Sequence, residues 1–169
     1  SSPWLREVRD RCTVVPLGID VASFDRVDAG QIAALRERFP GPLLLFVGRL
    51  RYYKGLNYLI TAMQDVPATL LVVGDGPMRR EWEELARRLG VADRVHFEAG
   101  VANADLPAYY HAADLFVLPS CQRSESFGIV LLEAMASRLP AISTELGTGT
   151  SWVNQHGETG LVVPPADSA

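Results

Sequence analysis

The stretch "LLLFVGRLRYYKGLNYLITAMQDVPATLLVVGDGP", Leu43–Pro77, sets two apolar runs on either side of a helical pattern. Leu43–Leu50 follows the breaker Pro40-Gly41-Pro42 and opens with five apolar residues in a row. It reads as a strand buried on both faces. In Gly55–Val66 the residues Leu56, Leu59, Ile60 and Met63 recur at helical spacing. Ala68–Gly76 is a second buried strand. Strands without polar alternation, joined through a helix, form the repeating unit of a parallel sheet covered on both faces.

The alternation continues to the end of the chain. Pro77 opens a helix running to about Leu89, with Gly90 after its end. "RVHFEAG" is a third strand, "ADLPAYYHAA" a helix entered at Asp105, and "LFVLPS" (Leu115–Ser120) a fourth strand. A helix from about Phe127 to Arg138 follows, then a fifth strand in "PAIST" and a short last one in "GLVVPP". The expected fold is α/β: one doubly wound, Rossmann-like domain with its core at 41–169. Ahead of it, Thr13–Phe24 reads as a strand followed by a turn at Pro16 and Gly18. "DAGQIAALRERF" reads as an amphipathic helix, and 1–40 as an approach segment from another domain.

Bulk properties narrow the function. The chain has 169 residues, 48% hydrophobic and 21% charged, enough to bury a core and unlike a disordered tail. A net charge of −4 and a pI near 5.4 argue against wholesale binding to nucleic acid or an anionic membrane. Trp4, Trp82 and Trp152 are scattered and form no aromatic platform for bases. No apolar run reaches the ~18 residues that span a bilayer, and the start "SSPWLREVRDRC" has no signal-peptide apolar region. Cys12 and Cys121 fit no metal-ligand spacing and read as reduced thiols of a cytosolic protein. His96, His111 and His156 have no Ser, Cys or Asp at an interpretable spacing and read as structural.

Ligands of open α/β sheets bind beyond the carboxyl ends of the strands, where strand order reverses. With the order 3-2-1-4-5, strands one and four meet there. The tail of strand one carries Gly48, Arg49, Arg51 and Lys54; the tail of strand four is "PSCQRSESFG". Arg49 and Lys54 bring a planar fork and a compact charge, both suited to phosphate oxygens; the alternative is a set of solvated charges. Across the crevice the N–H groups of Phe127, Gly128 and Ile129 open a helix, a natural acceptor site for anions and hydroxyls. Glu133 lies on a helix with apolar residues on both sides of its stripe, buried nearly all round, so its carboxylate needs donors. Those are either vicinal sugar hydroxyls, or an arginine, or water. Glu125 precedes the helix, where it either meets a ligand or serves the helix dipole beside a capping Ser124 or Ser126.

Glu125 and Glu133 form an E-x7-E pair, "ESFGIVLLE", and "GRLRYYKG", "VVGDGP" and "YHAADLFVLPS" occur in order before it. With these motifs nearly the whole chain resembles the nucleotide-sugar-binding C-terminal domain of family-4 (group 1) retaining glycosyltransferases of GT-B architecture. The resemblance implies that Arg49 and Lys54 hold the donor diphosphate and that Glu125 contacts the donor sugar near the reacting carbon. Gly48 belongs to the same donor site. The amides of Phe127, Gly128 and Ile129 would touch sugar and phosphate, Glu133 the ribose, and Val101 the base. It implies a UDP- or GDP-sugar donor, hexosyl transfer with retention and no metal, and a cytoplasmic role in cell-envelope polysaccharide synthesis. The acceptor, a glycan or lipid, and any membrane contact would belong to an absent N-terminal domain, leaving the isolated half inactive.

The loop "ELGTGTSWVNQ" (Glu145–Gln155) departs from the Gly-Gly…Glu pattern of many relatives, and Gly147 and Gly149 are its candidates for a phosphate approach. A dinucleotide oxidoreductase is disfavoured because "GDGPMR" lacks the third glycine of G-x-G-x-x-G and follows the second strand. A GT-B epimerase or phosphorylase, or a noncatalytic nucleotide-sugar-binding module, would reuse much of the same crevice.

Overall fold

The computed structural model describes residues 3–169. Three short helices lead in: α1 (Pro3–Arg6), α2 (Ala22–Asp25) and α3 (Ala29–Arg38). The alternating core follows as β1 (Leu43–Val47), α4 (Leu56–Ala62), β2 (Thr69–Val73), α5 (Arg79–Arg88) and β3 (Val95–Glu98). Then come α6 (Leu106–Ala112), β4 (Leu115–Leu118), α7 (Ile129–Ala136), β5 (Ala141–Thr144), α8 (Thr150–Val153) and β6 (Gly160–Val163). All six strands are parallel, in the order β3-β2-β1-β4-β5-β6. The expected order holds, with a sixth strand added beside β5, and the reversal point lies between β1 and β4.

The unbroken apolar run of β1 has a simple cause. Its side chains alternate between two separate cores. Leu43, Leu45 and Val47 pack with Tyr110, Phe116, Leu131 and Ala134, the residues of α6, β4 and α7. Leu44 and Phe46 pack with Leu56, Ile60, Leu70, Val72 and Trp82, among them residues of α4 and α5. Between α4 and the β1–β4–β5 face a mostly apolar cavity of about 370 Å³ remains.

Thr13–Phe24 departs from expectation: it forms no strand. Val14 and Val15 are exposed, and the only order is α2, which puts Phe24 into the core with its ring 6.0 Å from that of Tyr110. A β-branched pair makes a strand only where a neighbour offers a ladder, and this segment pairs with none of the six strands. The helix expected in "DAGQIAALRERF" is present as α3, whose first turn is capped by Asp28 accepting from the N–H of Gly30 at 2.8 Å. It packs on α6. Arg36 grips Asp114 with two hydrogen bonds of 2.7 and 2.9 Å, and Asp114 also accepts from the N–H of Leu43 at 2.8 Å.

At the other end β6 is an edge, and the preceding turn folds over it. The Gly160 carbonyl accepts from the N–H of Gly157, and the N–H of Val162 donates to Nδ1 of His156 at 3.0 Å. Asn154, fully buried, donates to Ser143 Oγ and to the Leu161 carbonyl, tying β5 to β6. His156 and His111, whose Nε2 lies 2.8 Å from the Phe24 carbonyl, thus serve the fold.

Arg36, and secondarily the Leu43 N–H, hold the Asp114 carboxyl below its usual range. A carboxylate with a lowered folded pKa adds stability above the unfolded value of about 3.9, and that stability is lost as pH falls through the folded value. Both partners are partly exposed, so the contribution is at most about 1 kcal/mol. Asp114→Asn is expected to lower the unfolding midpoint slightly at pH 7, with the gap to wild type closing below about pH 4. A gap that stays constant in urea titrations across that range would contradict this account.

Candidate functional site

Beyond the strands the β1 and β2 tails stay zipped together. Gly48 N–H donates to the Val73 carbonyl and Leu50 N–H to the Asp75 carbonyl, both at 3.0 Å. The tails lie so close that a methyl group on Gly74 would sit 2.0 Å from the Gly48 carbonyl oxygen. The glycines of "VVGDGP" therefore answer to backbone crowding. Gly48, Arg49, Gly74, Asp75, Val101 and Leu106 line one open cleft of about 170 Å³ at the ends of β1, β2 and β3. The guanidinium of Arg49 is exposed and makes no ion pair among the described residues.

The β1 and β4 tails are joined as firmly. Tyr52–Lys54 is a turn of 3-10 helix, ended by Gly55 in the left-handed region at φ 64°. A methyl group there would lie 2.1 Å from the Pro119 carbonyl oxygen. The Cys121 N–H donates to the Tyr53 carbonyl at 2.8 Å. This contact delivers Lys54 to Glu125: Nζ donates to Oε2 at 2.5 Å, with the lysine 8% and the glutamate 7% exposed. Ser120 Oγ donates to the same carboxylate oxygen at 2.9 Å, and Thr144 on β5 hydrogen-bonds the Ser120 carbonyl. Gly48 adjoins this pair, since a methyl group on it would come 3.6 Å from the Lys54 ammonium. The cleft and the ion pair are thus neighbours across Gly48.

Helix α7 begins two residues later than expected. Gly128 takes the N-cap position with φ 77°, and neither Ser124 nor Ser126 caps the helix. Glu125 lies outside the first turn and is committed to Lys54, so it serves an ion pair and not the helix dipole. Among the described residues the N–H groups of Phe127, Gly128 and Ile129 find no acceptor. Nor is α7 buried all round: Ile129 is 42% exposed, and only Leu131 and Ala134 are fully enclosed. The partner of Glu133 is neither an arginine nor solvent alone. The Tyr110 hydroxyl donates to its Oε2 at 2.6 Å. Glu133 shares no hydrogen bond or ion pair with Arg49 or Lys54.

The Glu145–Gln155 loop contains the unexpected helix α8. Gly149 presses on the start of α7: its N–H donates to the Ser126 carbonyl at 2.8 Å, and a methyl group would sit 2.8 Å from the Phe127 ring. Its glycine is explained by that protein contact. Phe127 and the exposed Trp152 stand 6.1 Å apart, ring centre to ring centre. Both cysteines are free thiols, and burial pushes the Cys121 thiol up, away from nucleophilic chemistry. Among the described residues no three His, Cys, Asp or Glu side chains cluster as metal ligands, and no helix is long and apolar enough to cross a membrane.

A family model described as glycosyl transferases group 1 matches residues 31–169. The chain belongs to the group 1 glycosyl transferases. It is 41% identical over 169 residues to the D-rhamnosyltransferase WbpZ of Pseudomonas aeruginosa, covering 100% of this chain and 44% of that protein. It is 37% identical over 168 residues to the O-antigen chain mannosyltransferase C of Escherichia coli, covering 99% of this chain and 45% of that protein. The chain therefore spans less than half the length of these relatives.

Among solved structures it resembles Anabaena HepE in complex with UDP-glucose, with a TM-score of 0.80 and 28% identity over 89% of this chain and 43% of that one. It also resembles the C-terminal domain of the Francisella tularensis group 1 protein LpcC, with a TM-score of 0.73 and 27% identity over 89% of this chain and 82% of that one. The glycosyl transferase chain thus has the Rossmann-like fold of a GT-B C-terminal domain.

Removing one partner of a buried ion pair leaves the other charge stranded, at about 3–5 kcal/mol. Lys54→Ala is expected to destabilise the domain by about 3 kcal/mol, and Glu125→Gln added to it should recover part of that loss. A double-mutant cycle in denaturant measures this; strictly additive effects would mean that the pair does not hold the loops.

Proposed function

We propose that the chain is the donor-binding half of a glycosyltransferase that moves a hexosyl group from a nucleoside-diphosphate sugar to a glycan or lipid acceptor. The observation that carries this reading is the joining of two distant loops at the reversal point. Arg49, without an ion pair among the described residues, lines a cleft with Val101, and the buried Lys54–Glu125 pair adjoins the cleft across Gly48. The names of the relatives, a D-rhamnosyltransferase and an O-antigen chain mannosyltransferase, and the UDP-glucose complex of HepE support it.

In this reading the diphosphate lies over the β1 tail. Arg49 offers its fork to phosphate oxygens, and Lys54, with one of three N–H groups given to Glu125, has donors left for another. Charge gathers on the diphosphate as the bond to the sugar breaks, and fixed cations aimed there lower the barrier. They supply the positive charge that a divalent metal would otherwise bring, so transfer proceeds without one. The open amides of Phe127, Gly128 and Ile129 receive sugar and phosphate oxygens, and Glu125 accepts from a sugar hydroxyl through its second oxygen. Glu133 accepts from the ribose, and Val101 lies against the base. Transfer retains the anomeric configuration. The acceptor, and any membrane contact, belong to an N-terminal domain that 1–40 approaches, and the enzyme works in the cytoplasm.

Titration of the chain with UDP, GDP and ADP by calorimetry tests the reading. One nucleotide should bind best, and Arg49→Ala and Glu133→Ala should each weaken it by about 1–3 kcal/mol, the range for unpairing a charged hydrogen bond. Unchanged affinity in both variants would remove the cleft from donor binding.

A further inference from the structure

Tyr109 and Tyr110 are adjacent on α6, and each donates a hydrogen bond to a glutamate on a different element. Tyr109 reaches Glu98 on β3 at 2.7 Å, and Tyr110 reaches Glu133 on α7 at 2.6 Å. Successive helical residues point about 100° apart, so the two hydroxyls leave α6 toward different neighbours. Tyr110 is wholly enclosed, its ring 6.0 Å from that of Phe24 and 5.6 Å from that of Phe116. A phenol held so tightly cannot swing to another acceptor. Its direction is therefore fixed by packing, and through the hydrogen bond it fixes Oε2 of Glu133. The other carboxylate oxygen, Oε1, accepts no hydrogen bond among the described residues and is not enclosed. Burial first, then the charge of Glu133, holds the Tyr110 proton on its oxygen, so the tyrosine is the donor and Glu133 the acceptor.

We infer that Tyr110 is a positioning residue that locks the Glu133 carboxylate with one oxygen presented to the vicinal hydroxyls of a ribonucleotide donor. The inference rests on the donor-binding reading given above. A free glutamate on a helix surface samples several rotamers and loses that freedom on binding. Here the phenol removes that freedom beforehand, so a ribose meets an acceptor already aimed. Oε2 keeps a second lone pair, and the two oxygens together can accept from both hydroxyls while the phenol stays in place.

The test compares UDP and GDP with their 2′,3′-dideoxy analogues, using calorimetry on wild type, Tyr110→Phe, Tyr109→Phe and Glu133→Ala. Wild type should prefer the ribonucleotide. Tyr110→Phe keeps the ring and should cut that preference about five- to tenfold, the effect of one hydrogen bond, while leaving dideoxynucleotide affinity unchanged. In a Glu133→Ala background the same substitution should have no further effect. Tyr109→Phe loses an equivalent bond to Glu98 and should leave the preference intact.

An equal loss for both analogues in Tyr110→Phe, an unchanged preference, or the same change in Tyr109→Phe overturns the positioning role. If Tyr110→Phe does not fold, the Glu133→Ala and Tyr109→Phe arms still decide: a preference that survives Glu133→Ala, or collapses in Tyr109→Phe, overturns it. A wild type that binds both analogues equally fails earlier, at the ribose role of Glu133, and leaves phosphate binding by Arg49 standing.

Discussion

The ion pair between Lys54 and Glu125 is the constraint on which the rest of the crevice depends. Two charges removed from water repay their dehydration only with close geometry and further hydrogen bonds. Here the pair is direct, Ser120 adds a donor to the same oxygen, and Thr144 fixes the Ser120 backbone in turn. The chain of contacts runs from the β1 tail through the β4 tail to β5, so three crossovers distant in sequence become one unit. Gly55 against the Pro119 carbonyl and Cys121 against the Tyr53 carbonyl close the same seam in backbone.

The two sides of the crevice are built on opposite principles. On the β2 and β3 side the walls are mostly glycines and apolar residues, backbone pressed on backbone, with the side chains of Arg49 and Asp75 also lining the cleft. On the β4 and β5 side polar side chains satisfy one another before any ligand arrives. The first side leaves room and an uncommitted charge; the second gives rigidity. In the proposed donor-binding reading, a diphosphate uses the former and a reacting sugar the latter. The region where they meet is Gly48, adjacent to both.

Much of this was legible in the residues. β1 and β2 are enclosed by two cores, and their uninterrupted Leu and Val runs announce it. Placing Arg49, Lys54 and Glu125 at one reversal point needed only the strand order. What was not legible is tertiary. Val14-Val15 looks like a strand by side chain alone, but no ladder is available to it. Phe127 continues the apolar run and so reads as the start of α7, whereas Gly128, turned left-handed, delays the helix to Ile129. Helix α8 hides in a Gly- and Thr-rich stretch that reads as loop. The tyrosine beneath Glu133 left one faint signal: a phenol in the apolar company of "AYYHAA" must find an acceptor when buried.

The turn over β6 has a consequence for the behaviour of the molecule in solution. An open strand edge is a template on which a second chain can add itself, the first step toward aggregates. On β6 the outward groups at Gly160 and Val162 are already taken by Gly157 and by the imidazole of His156. Pro164 and Pro165 follow at once and have no N–H to offer. The rim is sealed from within, by His156, Gly157, Pro164 and Pro165.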